Sequence, residues 1–117
     1  MDVKALFLNY IETHNGTSFA ELERLLTEHG IDYKGDTCWH LKNYPNLILW
    51  AGWNLEFFTI LNELLRENMI KLHHSNRTAL CYLIDGKVLP FPIAQKIVQY
   101  KSEHWVPVTF NKRGEEK

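Results

Sequence analysis

A change of hydrophobic period at Ile70 is the feature that most constrains what this chain can fold into. Upstream of it, Phe57, Phe58, Leu61, Leu64 and Leu65, with Met69 just beyond, recur at the spacing of one helix face. Downstream, Ile70 and Leu72 and then Leu80, Tyr82 and Ile84 recur with a period of two, the spacing of strands. A long amphipathic helix running straight into alternating segments predicts an α+β chain and excludes purely helical or purely stranded folds. Asn54 precedes the helix as an N-cap, and the element is expected over about Leu55 to Asn68. The two alternating segments flank the polar tip His74-Ser75-Asn76-Arg77-Thr78, which predicts a β-hairpin that closes at Asp85-Gly86.

Two further helices precede this half. Val3, Leu6, Phe7, Tyr10 and Ile11 predict one from Asp2 to about His14, ended by Asn15-Gly16. Ser18-Phe19-Ala20-Glu21 has the form of a capping box, and Phe19, Leu22, Leu25 and Leu26 then form one apolar stripe, so a second helix is expected up to about His29, stopped by Gly30. From Ile31 to Tyr44 two readings compete. Asp36 as a cap favours a short helix over Thr37 to Tyr44, the reading preferred here, whereas Trp39 and Leu41 alternate with Cys38, His40 and Lys42 as in a strand. Leu47 to Trp50 predicts a short buried strand closed by Ala51-Gly52. Beyond Pro90 and Pro92, Ile93, Ile97 and Tyr100 outline a short helix, and Trp105, Val106, Val108 and Phe110 a last strand. Residues 1–110 are thus expected to form a single domain, with 111–117 as a frayed tail.

With 117 residues, 45% hydrophobic and 23% charged, the chain has enough apolar content for its own core, and disorder is not its default state. No apolar run is long enough to cross a bilayer, and Asp2 and Lys4 come before any stretch resembling a signal sequence, so a cytoplasmic protein without a membrane partner is expected. Cys38 and Cys81 are too few for a secreted disulfide scaffold and are expected as reduced, buried thiols. Thirteen Lys and Arg against fourteen Asp and Glu give a net charge of −1, so the chain as a whole does not attract nucleic acid strongly. Its halves differ: residues 1–50 hold four basic and seven acidic groups, residues 51–117 nine and seven. An anionic partner should therefore meet the C-terminal half.

The run from Asn54 to Leu72, followed by a polar turn and Ala79-Leu-Cys-Tyr-Leu-Ile-Asp-Gly, resembles the helix-plus-wing half of small bacterial or phage-type winged-helix proteins. With the two upstream helices, the resemblance covers roughly residues 2–86. It implies a winged-helix-like fold, with helices packed on a small antiparallel β-hairpin sheet and an extra C-terminal helix and strand. It also implies a relative that binds double-stranded DNA or regulates transcription. Two departures stand out. Residues 30–53 intervene where such proteins have a short turn, so the recognition helix is either the element from Asp36 to Tyr44, offering His40, Lys42 and Asn43, or the long helix itself. The long helix also carries Glu56, Glu63 and Glu67 against only Arg66, and carboxylates repel phosphates.

The candidate nucleic-acid contacts are thus His40, Lys42 and Asn43 with His73, His74, Asn76 and Arg77, where Arg77 at the hairpin tip suits a phosphate or a minor groove. The competing reading is a protein-interaction module, an accessory protein of a phage or other mobile element, that contacts a partner or a second copy. Its candidate residues are Trp50 and Trp53, which bracket a tight turn; core filling is the expected role of most of the four tryptophans, with Trp53 expected to be partly exposed. Cys38, His40, His73, His74 and Cys81 are of the types that bind zinc, but their spacing matches no zinc motif, so no metal and no cofactor is expected. No Gly-rich phosphate loop, nucleophile elbow or metalloprotease pair occurs, and an enzyme is the least supported class.

Overall fold

The computed structural model describes residues 2–74 and 78–113. Helix α1 spans Val3–Thr13 and is capped by Asp2, whose carboxylate accepts from the Ala5 amide at 3.2 Å. After the two-residue strand β1, Thr17–Ser18, helix α2 runs over Phe19–Glu28. The capping box forms: the Glu21 amide donates to Ser18 Oγ at 3.1 Å, and the Ser18 amide donates to Glu21 Oε1 at 3.0 Å. Helix α3, Leu55–Arg66, is capped by Asn54, whose side chain accepts from the Glu56 amide at 3.1 Å. Each of these starts follows from a short polar side chain that satisfies an amide the helix leaves unpaired.

The stretch after Gly30 is where the short-helix expectation fails. Lys34–Leu41 is a strand, β2, paired antiparallel with β3, Tyr44–Trp53, so that Cys38 faces Ala51 and Trp39 faces Trp50. Alternation wins over the Asp36 cap because Thr37, Trp39 and Leu41 lie half buried while Cys38 and His40 stay in water. Strand β3 is also longer than the expected Leu47–Trp50 and carries that apolar run through its middle. Gly35 sits where β2 passes Asn54. A Cβ there would lie 2.7 Å from the Asn54 Cα, so only glycine lets the two backbones approach.

The expected hairpin over Ile70 to Ile84 is corrected as well. Ile70–His73 is a strand, β4, but Thr78–Ile84 is a helix, α4. The helix brings Thr78 and Tyr82, four residues apart, onto one buried side, and Tyr82 decides the outcome. Its hydroxyl accepts from the Phe19 amide at 3.0 Å and donates to the Val108 carbonyl at 2.6 Å, tying α4 to the start of α2. Gly86, with φ of +70°, ends α4, and the Lys87 amide donates back to the Tyr82 carbonyl at 3.0 Å.

No helix forms over Ile93 to Tyr100. That chain is held instead by the Ala94 amide on the Trp105 carbonyl, the Trp105 amide on the Pro92 carbonyl, and Tyr100 Oη accepting from the Gln95 and Lys96 amides. The expected last strand is divided by Pro107 into β5, His104–Trp105, and β6, Thr109–Lys112. Asn111 and Lys112, expected in a frayed tail, instead pair with Lys71 and Ile70 of β4, while 114–117 lie outside the described residues.

The result is a compact α+β fold with four helices and two three-stranded sheets among the described residues. One sheet is antiparallel with the order β1-β6-β4; the other has the order β2-β3-β5, with β5 parallel to β3. Both contribute to one core around Phe19, whose ring stacks on Trp50 at 5.4 Å and meets Trp53, Phe58 and Phe110 edge-on. No helix among the described residues is long and apolar enough to cross a membrane.

Candidate functional site

Helix α4 contains no charged residue, and its two sides are both apolar. Thr78 and Tyr82 are buried, while Leu80, Leu83 and Ile84 project from the opposite side, 54, 60 and 84% exposed. A soluble helix normally sets its apolar stripe inward and charge outward, and one that is apolar all round is normally covered on every side. Val88, Ile93, Ile97 and Val98 continue this exposure along the following chain. Seven of the nine exposed large hydrophobic residues among the described ones fall between 80 and 98, so the exposure is a property of one stretch of the molecule.

A buried carboxylate fixes this stretch in place. Glu23 on α2 accepts from the indole N–H groups of Trp50 at 3.0 Å and Trp53 at 2.9 Å, both on Oε2, and takes the Lys87 ammonium on Oε1. One residue along, Arg24 pairs with Asp85 at 3.2 Å. The two ion pairs clip the end of α4 to α2. The hydrogen bond to Glu23 holds the Lys87 pKa above its ordinary value. Burial, and then the Glu23 charge, raises the Tyr33 hydroxyl beside them. A cleft of about 380 Å³ opens over this cluster, lined by Glu23, Tyr33, Lys34, Trp50, Lys87 and Leu89 among others. Its carboxylate already has three donors, which is the arrangement of a structural clip.

A second surface lies on α3. Leu55, Thr59, Asn62 and Arg66 form one exposed row, spaced by four, three and four residues. Glu63 and Glu67 are turned off this row toward α1, where Lys4 pairs with them at 3.6 and 3.0 Å. The hydrogen bond to Glu67 raises the Lys4 pKa. Two of the three carboxylates that set α3 against phosphate are therefore partnered by lysine.

The residues singled out in the sequence are scattered over both sheets. Trp50 and Trp53 are buried, 3% and 0% exposed, and so offer no ring to a partner; Trp53 in particular lies under Phe7, Tyr33 and Phe58. The carboxylate of Glu23 draws both indoles inward. His40 is exposed on β2, and Lys42 and Asn43 form its turn, where Gln99 donates to the Asn43 carbonyl at 2.7 Å. His73 ends β4 in the other sheet, and His74 Nδ1 lies 2.7 Å from the Pro107 carbonyl. Asn76 and Arg77 lie outside the described residues. Cys38 and Cys81 are exposed free thiols, not the buried ones expected, since β2 and α4 each turn that position to water. Among the described residues no three His, Cys, Asp or Glu side chains come together to hold a metal ion.

Glu23 was legible in principle. It stands four residues after Phe19 and three before Leu26, in the middle of an apolar stripe where a carboxylate requires a partner. The outer face of α4 was hidden because Leu80, Tyr82 and Ile84 read equally well as one face of a strand. Comparison with known proteins finds no matching family model, no matching curated protein and no matching solved structure.

Proposed function

We propose that this chain is a protein-interaction module on a winged-helix-like core, with α4 and the chain after it as the contact surface. The observation that carries the reading is the uncharged outer face of α4, where Leu80, Leu83 and Ile84 stand in water with ion pairs locking the helix end beneath them. The winged-helix-like part is supported by the order of three helices, α1, α2 and α3, followed by an antiparallel strand pair. In this reading the second strand of the pair is β6, and α4 belongs to an excursion between the two strands.

The thiol of Cys81 lies on α4 and that of Cys38 on β2, which provides an internal control. A photo-crosslinker placed on Cys81 in a Cys38→Ser background is expected to give discrete adducts in extract of the source cells. The same reagent on Cys38 in a Cys81→Ser background should not give them, and Leu83→Asn should remove them while the far-UV circular dichroism stays unchanged. Equal adducts from both positions would remove α4 from the reading.

The Leu55, Thr59, Asn62 and Arg66 row favours a second reading, in which α3 meets double-stranded DNA while Lys4 neutralises its acidic flank. Under it, duplex affinity falls with salt and Arg66→Ala lowers binding to all sequences alike, measured by fluorescence anisotropy. Absence of binding at low salt would remove it.

A further inference from the structure

The partner's chemistry can be read from the same surface, on the premise that α4 is a protein contact. Two apolar stretches are rooted on one buried residue. Tyr82, the inward side chain of α4, has its ring 5.2 Å from that of Trp105. Ile93 bridges to Trp105, whose carbonyl accepts from the Ala94 amide at 2.9 Å. α4 and the stretch leading to Ile97 and Val98 are thus tied to the same residue, α4 through the Trp105 ring and the stretch through the Trp105 backbone.

Charge in the chain between α4 and β5 is mostly positive. From Gly86 to Ser102 the chain carries Lys87, Lys96 and Lys101 and no carboxylate. Lys87 is engaged by Glu23, and Asp85, just before this stretch, by Arg24. Lys96 and Lys101 are exposed, with no ion pair among the described residues. The next acid along the chain, Glu103, lies close enough to Cys38 of β2 for its charge to act on that thiol. The surface thus combines the exposed apolar side chains of α4 with a following stretch in which two exposed lysines, without an ion pair among the described residues, flank Ile97 and Val98.

We propose that it receives an acidic amphipathic helix of another protein. The apolar side of that helix would cover Leu80, Leu83, Ile84 and Ile97, and its carboxylates would meet Lys96 and Lys101. Charge complementarity selects this occupant. A second copy docked through the same patch would bring lysines toward lysines, because a two-fold contact sets a surface against itself.

The test is fluorescence anisotropy of the full chain with a labelled helical peptide about four turns long. The peptide carries leucine at i, i+3, i+4 and i+7 and glutamate elsewhere, and is compared with glutamine and lysine counterparts. The glutamate peptide is expected to bind, more weakly as salt rises. Reversing charge with Lys96→Glu and Lys101→Glu should weaken it roughly tenfold and strengthen the lysine peptide. Both lysines are exposed, so the fold of the reversed variant should be unchanged by circular dichroism. Equal binding of all three peptides, lost in Leu83→Asn, would overturn the acidic partner and leave α4 as a contact surface. Failure of all three to bind would overturn the inference, while crosslinking from Cys81 decides the contact reading separately. Self-association in sedimentation, abolished by Leu83→Asn, would overturn it in favour of a second copy.

Discussion

Glu23 joins three parts of the molecule through one carboxylate: α2, the aromatic end of β3, and the chain leaving α4. Its removal leaves two buried indole N–H groups without an acceptor and Lys87 without its counter-charge. Glu23→Ala is therefore expected to destabilise the fold by about 3–5 kcal/mol, the range for breaking a buried ion pair. Lys87→Ala should cost less, about 1–2 kcal/mol, because the Lys87 side chain is 44% exposed and water screens it. Denaturant unfolding followed by tryptophan fluorescence measures both, and equal losses would mean that the indoles contribute nothing to the difference. Trp50 and Trp53, which the sequence offered both as core filling and as partner-facing rings beside a turn, are buried with this acid as the acceptor of both indoles. A carboxylate inside an apolar stripe signals a buried partner but does not say which, since its donors arrive from residues 27, 30 and 64 positions away.

Among the elements, α4 differs most from its sequence pattern. Three alternating apolar positions, Leu80, Tyr82 and Ile84, fit a strand, yet seven residues close into a helix once Tyr82 reaches both the Phe19 amide and the Val108 carbonyl. Its inner side is fixed by those bonds and its outer side by nothing among the described residues. Substitution of Leu83 or Ile84 by asparagine is thus expected to change stability within about 0.5 kcal/mol, as for exposed sites. A loss of several kcal/mol in thermal unfolding would mean that the outer face is packed rather than free. β2 presents the reverse case, where alternation and a helix cap pointed in different directions and pairing with β3 decided between them. The three long helices were legible because cap, apolar stripe and stop signal agreed at each end.

At the scale of the whole molecule, groups whose pKa the fold raises tie stability to alkaline pH, Tyr82 and Lys87 among them. Burial raises the Tyr82 pKa well above its ordinary 10.0, and the hydrogen bond to Glu23 raises that of Lys87 above 10.5. In each case the folded state holds its proton where the unfolded state has lost it, so stability is whole below about pH 10 and falls as pH rises beyond it. Urea midpoints measured between pH 8 and 12 should therefore decline on the alkaline side, and Tyr82→Phe should flatten the decline while lowering the plateau. The amino-acid sequence by itself determined the mixed α+β class and the three capped helices, because those depend on side chains within one or two turns of each other. Only the tertiary structure decided that β4 pairs with β6, that Thr78–Ile84 is a helix, that Trp50 and Trp53 lie inside, and which apolar side chains are left in water. These choices rest on partners distant along the chain, Val108 for Tyr82 and Glu23 for the indoles, and local periodicity carries no record of them.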